Sequence, residues 1–145
     1  MKDVENDMLL PVVIGVPEVN AIKLEPNDRV VSASMVEAGA DLLLVTARGF
    51  GKRVLFEEFA VRGRSGKGVR CITGSAKLNG PVVSARLVRP DDTAVLVSRA
   101  GIGWRIPAAK IPEMGRDTRG AKLVELGSGD ELASLEVSRR VESIA

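Results

Sequence analysis

Val45-Thr46-Ala47-Arg48-Gly49-Phe50-Gly51-Lys52-Arg53-Val54 recurs without a gap as Val97-Ser98-Arg99-Ala100-Gly101-Ile102-Gly103-Trp104-Arg105-Ile106, 52 residues further along the chain. At the same offset Phe59 falls on Ile111, Gly63-Arg64 on Gly115-Arg116, Lys67-Gly68 on Arg119-Gly120 and Ile72 on Val124. Glycines, basic residues and apolar positions agree together. Beyond this point the register shifts by three, because the hairpin at Leu78-Asn79-Gly80-Pro81 is longer than Gly127-Ser128-Gly129; Val83 then falls on Leu132 and Val88 on Val137. A partial third copy lies upstream, where Ile22, Leu24, Asp28, Val30 and Ser32 match Val124, Leu126, Asp130, Leu132 and Ser134 at an offset of 102.

A period near fifty residues implies an array of supersecondary units, none of which can bury its apolar face alone. The units read as β. Leu42–Thr46, Val54–Phe56, Val69–Thr73, Val82–Leu87 and Ala94–Ser98 are short apolar or β-branched runs separated by Gly, Asn-Gly or Pro-Asp-Asp turns, roughly four strands per unit, as in a propeller blade. Only Pro107–Ile111 reads as a short helix or 3₁₀ turn. The expected class is all-β, with about two and a half propeller-like repeats. Residues 1–20 would form an N-terminal segment and partial blade, 21–41 the end of a preceding blade, 42–93 repeat 1, 94–138 repeat 2 and 139–145 a tail. Propellers hold about four to eight blades, so an apolar face is left open at each end. Either the chain is part of a longer protein, or copies associate into a homo-oligomer that closes a ring.

Composition narrows the chemistry. Hydrophobic residues make up 45% of the 145, enough for a core, while aromatics at 3% leave Val, Leu, Ile and Ala to fill it. The one cysteine, Cys71, excludes an internal disulfide, and there is no histidine, the commonest metal ligand and general base. No metal or organic cofactor is expected. The apolar run Met8–Val16 is short and broken by Pro11, and the residues before it are acidic, so neither a secretion signal nor a membrane span is read there. The expected setting is the reducing cytoplasm. A net charge of +2 hides an asymmetry: residues 1–41 carry three basic and eight acidic side chains, and residues 42–70 carry seven basic and two acidic.

The segment Thr46-Ala47-Arg48-Gly49-Phe50-Gly51-Lys52-Arg53, then Glu58-Phe59, then Gly63-Arg64-Ser65-Gly66-Lys67-Gly68-Val69, resembles the blade pattern of the DNA gyrase A C-terminal domain and its topoisomerase IV relative. Gly115-Arg116-Asp117-Thr118-Arg119-Gly120 is similar to the pattern of that domain's last blade, and the likeness covers roughly residues 20–138. The resemblance implies a β-pinwheel, a propeller-like ring whose blades exchange strands and whose basic rim wraps duplex DNA, in the cytoplasm on the nucleoid. It also implies gyrase or topoisomerase subunits as partners. The chain departs from the family at the basic box Gln-Arg-Arg-Gly-Gly-Lys-Gly, which Arg62-Gly63-Arg64-Ser65-Gly66-Lys67-Gly68 matches only at Arg64, Gly66, Lys67 and Gly68. Full wrapping by this chain alone is not implied.

An enzyme is not expected. Topoisomerases cut DNA through a tyrosine, and the chain has none. Glu57-Glu58 and Asp91-Asp92 read as turn and edge acids. The Gly63–Gly68 loop fails as a P-loop, since Val61 replaces the first glycine, Gly68 the hydroxyl residue, and a strand rather than a helix follows. That loop does suit a phosphate backbone: glycines let the main chain approach, and Arg64 and Lys67 would release counterions. Arg53 and Arg105, Arg64 and Arg116, Lys67 and Arg119, Arg70 and Lys122 are basic in both copies, with Arg48, Lys52 and Arg62 beside them. Equivalent places on neighbouring blades would align these as a curved basic track for non-sequence-specific contact with duplex DNA. Phe50, Phe56 and Phe59 read as core, and Trp104 as rim or inter-blade packing. The alternative reading is a protein-interaction module that docks on a pinwheel and completes or blocks it.

Overall fold

Leu42-Leu43-Leu44-Val45 is an unbroken apolar run, and such a strand is stable only where both of its faces are covered. The computed structural model, which describes residues 9–10, 26, 29–35, 37–59, 69–73 and 76–139, buries all four. They lie in β2 (Asp41–Thr46), between β3 (Phe50–Val54) and β5 (Val82–Val88). The corresponding strand of the second unit, β6 (Thr93–Ser98), reads Thr-Ala-Val-Leu-Val-Ser and alternates half-buried with buried positions, so only one of its faces is fully covered. It lies between β7 (Gly103–Pro107) and β9 (Leu132–Ser138).

The two sheets repeat each other closely. The strand ladders of both sheets are antiparallel, and both sheets carry a register irregularity at the same place, between Val45 and Thr46 and between Val97 and Ser98. A 3₁₀ turn follows the second strand in each unit, at Phe56–Glu58 and Ala108–Lys110. The turn expected within Pro107–Ile111 is therefore present, while its counterpart at residues 56–58 stands at the end of an expected strand. The strand itself is β3, at residues 50–54, where Gly51 masks the alternation. The Leu78–Pro81 hairpin contains a short helical turn, α1 (Ala76–Asn79), ended by Gly80 at φ 72°. This detour is shorter than the expected shift of three required. Val82 and Leu132 pair with Thr46 and Ser98, and Leu87 and Val137 with Leu42 and Ala94, a shift of two.

Two further pairings join one unit to another. β8 (Ala121–Lys122) belongs by sequence to the second repeat, yet it extends the first sheet, with Ala121 opposite Gly51 and Lys122 opposite Phe50. Its counterpart β4 (Val69–Arg70) pairs with β1 (Leu9–Leu10), Val69 opposite Leu10 and Arg70 opposite Leu9. Strands are exchanged between blades, as a pinwheel requires. Of the upstream third copy, Ile22, Leu24 and Asp28 lie outside the described residues. Residues 29–35 form no strand; Val30 is exposed, and Ser32 Oγ donates to Ala85 O at 2.5 Å.

One apolar cluster spans both sheets: Leu43, Val45 and Val88 from the first meet Ala94, Leu96, Leu132 and Leu135 from the second, with Ile111 and Val124 between. A second, comprising Leu42, Leu44, Val54, Phe59, Cys71 and Ala85, covers the other face of β2. Glu37, ahead of β2, accepts from Arg89 at 3.1 Å and Arg139 at 3.2 Å; Arg139 first and then Arg89 hold its carboxyl below the usual range. Among the described residues no helix is long and apolar enough to cross a membrane.

Because the larger cluster draws on both sheets, the two should unfold as one. Leu43→Ala, at a fully buried position, is expected to cost about 2–5 kcal/mol in denaturant titration. Circular dichroism and Trp104 fluorescence should report a single coincident transition, whereas separate midpoints would contradict a shared core.

Candidate nucleic-acid interface

Residues 112–124 run beside the outer edge of β3, and their seating sets where the cations point. Arg53 N–H donates to Pro112 O and Arg53 O accepts from Met114 N–H, both at 2.9 Å, while Leu123 N–H reaches Gly49 O at 2.8 Å. The approach is close. A Cβ on Gly51 would lie 2.5 Å from Leu123 Cδ1 and 2.6 Å from Leu44 O, and one on Gly120 would lie 3.0 Å from Gly51 O. At this crossing only glycine leaves room for both strands.

Lys52 is buried at the centre of the contact, with 0% of its surface exposed. Its Nζ donates to Gly115 O and Arg116 O at 2.9 Å each, to Thr118 O at 2.8 Å and to Thr118 Oγ1 at 3.0 Å. Burial pushes its pKa down to about 8, and Arg116 pushes the same way, while Cys71, Glu58 and Asp117 oppose them. The sequence places Lys52 among the residues facing DNA, and the structure corrects this. It has no surface with which to do so, because its ammonium is spent on holding the next repeat's loop.

Arg53 also departs from expectation. Its side chain is 13% exposed, with Nη1 on Asp41 Oδ2 and Nε on Ile111 O, each at 2.8 Å. Two partners at full hydrogen-bonding distance fix the guanidinium against the sheet. Arg105, its equivalent, is exposed on β7 and has no ion-pair partner among the described residues. The expected Arg53 and Arg105 pair is therefore split between a structural role and an exposed one.

The other cations gather along the exchanged segment. Arg119 lies with Cζ 4.5 Å from the centre of the Phe50 ring, and its Nε donates to Asn79 Oδ1 at 2.7 Å. Lys122 is opposite Phe50 across the ladder, and Arg48 projects from the β2–β3 turn; both line an open groove floored by Phe50, Leu78 and Leu126. Asp130 and Glu131 edge the same groove. Lys122 Nζ pairs with Glu125 at 3.1 Å, both well exposed, an interaction of little strength in water. Further along, Arg116 Nη1 donates to Arg70 O at 2.7 Å and its N–H reaches Glu58 Oε2 at 2.5 Å, so Arg70 and Arg116 are brought together. With about 3.3 Å between successive residues of a strand, the line from Lys52 to Phe50 places Arg116, Arg119 and Lys122 in order along one edge.

Among the described residues these cations follow one blade junction. Arg62, Arg64 and Lys67 lie outside the described residues. Sequence reading missed Asn79, wholly buried between Arg119 and its other partner, Thr73 O. It also missed Thr118, whose carbonyl and hydroxyl both receive Lys52. Asp92, expected as a solvated acid, is buried and accepts from Arg89 N–H at 2.9 Å. Phe50 is half-buried and carries Arg119, whereas Phe59 is core and packs at 6.2 Å from Phe56. The replacement of Lys52 by Trp104 in the second copy was the one available signal that the two sites differ in role.

A family model described as the DNA gyrase C-terminal domain, β-propeller, matches residues 19–37, 40–89 and 92–139. The DNA gyrase A protein of Thermotoga maritima is 43% identical over 111 residues, 75% of this chain and 14% of that one. Its counterpart from Mycobacterium tuberculosis is 33% identical over 137 residues, 94% of this chain and 16% of that one. The chain thus spans about a seventh of these relatives. Among solved structures, a DNA gyrase A C-terminal domain superposes with a TM-score of 0.63 at 34% identity, covering 67% of this chain and 33% of the other. The C-terminal domain of DNA topoisomerase IV shares the fold, with a TM-score of 0.74 at 18% identity, over 81% and 36% of the two chains.

The depressed pKa of Lys52 fixes the sign of a pH effect. An unfolded lysine titrates near 10.4, so between pH 8 and that value the unfolded chain binds more protons and stability rises with pH. Denaturant titration should show a gain of up to about 3 kcal/mol across this window, absent in Lys52→Met. An equal gain in the variant would place the effect elsewhere.

Proposed function

The chain belongs to the DNA gyrase C-terminal domain family, and from that premise we propose that it binds duplex DNA without sequence specificity and helps to bend or wrap it for a gyrase-type enzyme. The observation that carries this reading is the alignment of Arg116, Arg119 and Lys122 along the outer edge of β3, with Arg48 at its end. Arg119 is held by neutral partners that leave its charge uncompensated, Lys122 by an exposed ion pair that a phosphate can displace, and Arg116 by the carbonyl of Arg70 with the exposed Asp117 carboxylate at 3.9 Å. Arg119 is the best held, between the Phe50 ring and Asn79, and a pre-ordered guanidinium loses less entropy when it meets an anion.

Contacts of this kind position DNA and carry no sequence information. No base-reading element is required, and cations strung along one edge favour a duplex curved towards them. Cutting and rejoining belong to other parts of such an enzyme, since a chain without tyrosine cannot form the covalent link. Gyrase-type subunits are the natural partners, and the cytoplasmic nucleoid the natural place.

The test is the salt dependence of binding to a duplex of about 40 base pairs, several helical turns of about 10. About six phosphate contacts give a log-log slope near −5. The double substitution Arg48→Ala with Lys122→Ala, at two exposed positions, should leave the melting temperature unchanged and reduce the slope by about 2. An unchanged slope would remove these residues from the interface, and no binding at low salt would remove the function.

A further inference from the structure

The first blade shows what the outer edge of the second strand in this repeat is built to receive. A Cβ on Gly49 would lie 2.8 Å from Val124 O and one on Gly51 2.5 Å from Leu123 Cδ1, because the next repeat is seated there. β7 presents the same edge 52 residues later. Gly101 keeps the left-handed φ of Gly49, +87° against +88°, yet among the described residues nothing lies within 4 Å of a Cβ at that place. At Gly103, the counterpart of Gly51, the nearest atom is Leu96 O at 3.9 Å. The sheet ends at β7. Among the described residues no backbone group from outside the sheet meets the N–H or C=O of Arg105, whereas both groups of Arg53 are taken by residues 112–114. Ile102 is half exposed where Phe50 carries Arg119, and Trp104 is only partly buried where Lys52 is enclosed.

We propose that this edge is a docking surface for a second copy of the chain, which lays its β4 strand, Val69–Arg70, against Gly101–Arg105 as β8 lies against β3. The internal repeat identifies the occupant. Val69–Arg70 is the other copy of Ala121–Lys122, and it already acts as a covering strand: Arg70 and Val69 face Leu9 and Leu10 in the register in which Lys122 and Ala121 face Phe50 and Gly51. That pairing within the chain is two residues long, and an isolated two-stranded ribbon is marginal in water. β7 offers five residues backed by a sheet. The contact joins different surfaces of the two copies, so it is head-to-tail, and it is independent of the DNA-binding reading.

The test is the mass of the 145-residue chain by light scattering over a concentration series, without DNA. The parent should rise above the single-chain mass as concentration increases. At Gly103 an added Cβ comes no nearer to the described residues than 3.9 Å, at Leu96 O, so Gly103→Val fills the space the incoming strand needs; it should stay at single-chain mass with an unchanged melting temperature. Val69→Pro removes an N–H from the covering strand and should also stay single. An equimolar mixture of the two variants keeps one intact surface of each kind and should give a two-chain species and nothing larger. A parent that is single at every concentration, or a Gly103→Val chain that associates like the parent, would overturn the proposal. So would self-association of Val69→Pro, which would mean that the β7 edges pair with each other. If Val69→Pro does not fold, parent against Gly103→Val decides.

Discussion

The ammonium of Lys52, enclosed by oxygens of Gly115, Arg116 and Thr118, ties the second repeat to the edge of the first. An unpaired strand edge carries a row of unsatisfied donors and acceptors, and here they are answered by a segment that belongs to the neighbouring unit. The glycines follow from that contact. Gly51 and Gly120 permit the backbones to meet, and a side chain at Gly51 would collide with Leu123 and with Leu44 O. A buried ammonium is costly to desolvate, which is why its pKa falls. Its four oxygens offset part of that cost while fixing the course of residues 115–118.

The same contact orders the charge. Arg116 and Arg119 follow the carbonyls that Lys52 holds, and Lys122 comes next, in the strand that pairs with Phe50. One buried cation thus dictates where three others stand. Arg53 belongs with the buried group: Asp41 and the carbonyl of Ile111 bind it to the sheet. Lys52 is thus kept from solvent by burial, and Arg53 is held to the sheet by its two partners.

The repeat was legible because turns, core positions and glycines recur together at one spacing, and each reflects the same local geometry twice. The β class followed from short apolar runs between turn residues. What stayed hidden depended on contacts between units. An exposed lysine and a buried one look alike in a sequence, and Lys52 is buried only because residues 115–118 fold over it. The alternation of β3 was obscured by Gly51, whose role is set by the neighbouring repeat. Asn79 was invisible for the same reason, since its partner Arg119 is distant in sequence. The mismatch of Lys52 with Trp104 was a visible clue, and it marks the difference between a covered edge and an open one.

The division of arginines into structural and exposed groups can be read directly from their side-chain Nε–Hε resonances during titration with a short duplex. The expected result is that Arg48, Arg116 and Arg119 shift while Arg53, held by Asp41 and Ile111, stays in place. Binding of the duplex with Arg53 moving alongside the others, or with none of the three moving, would contradict a DNA path along the edge that Lys52 secures.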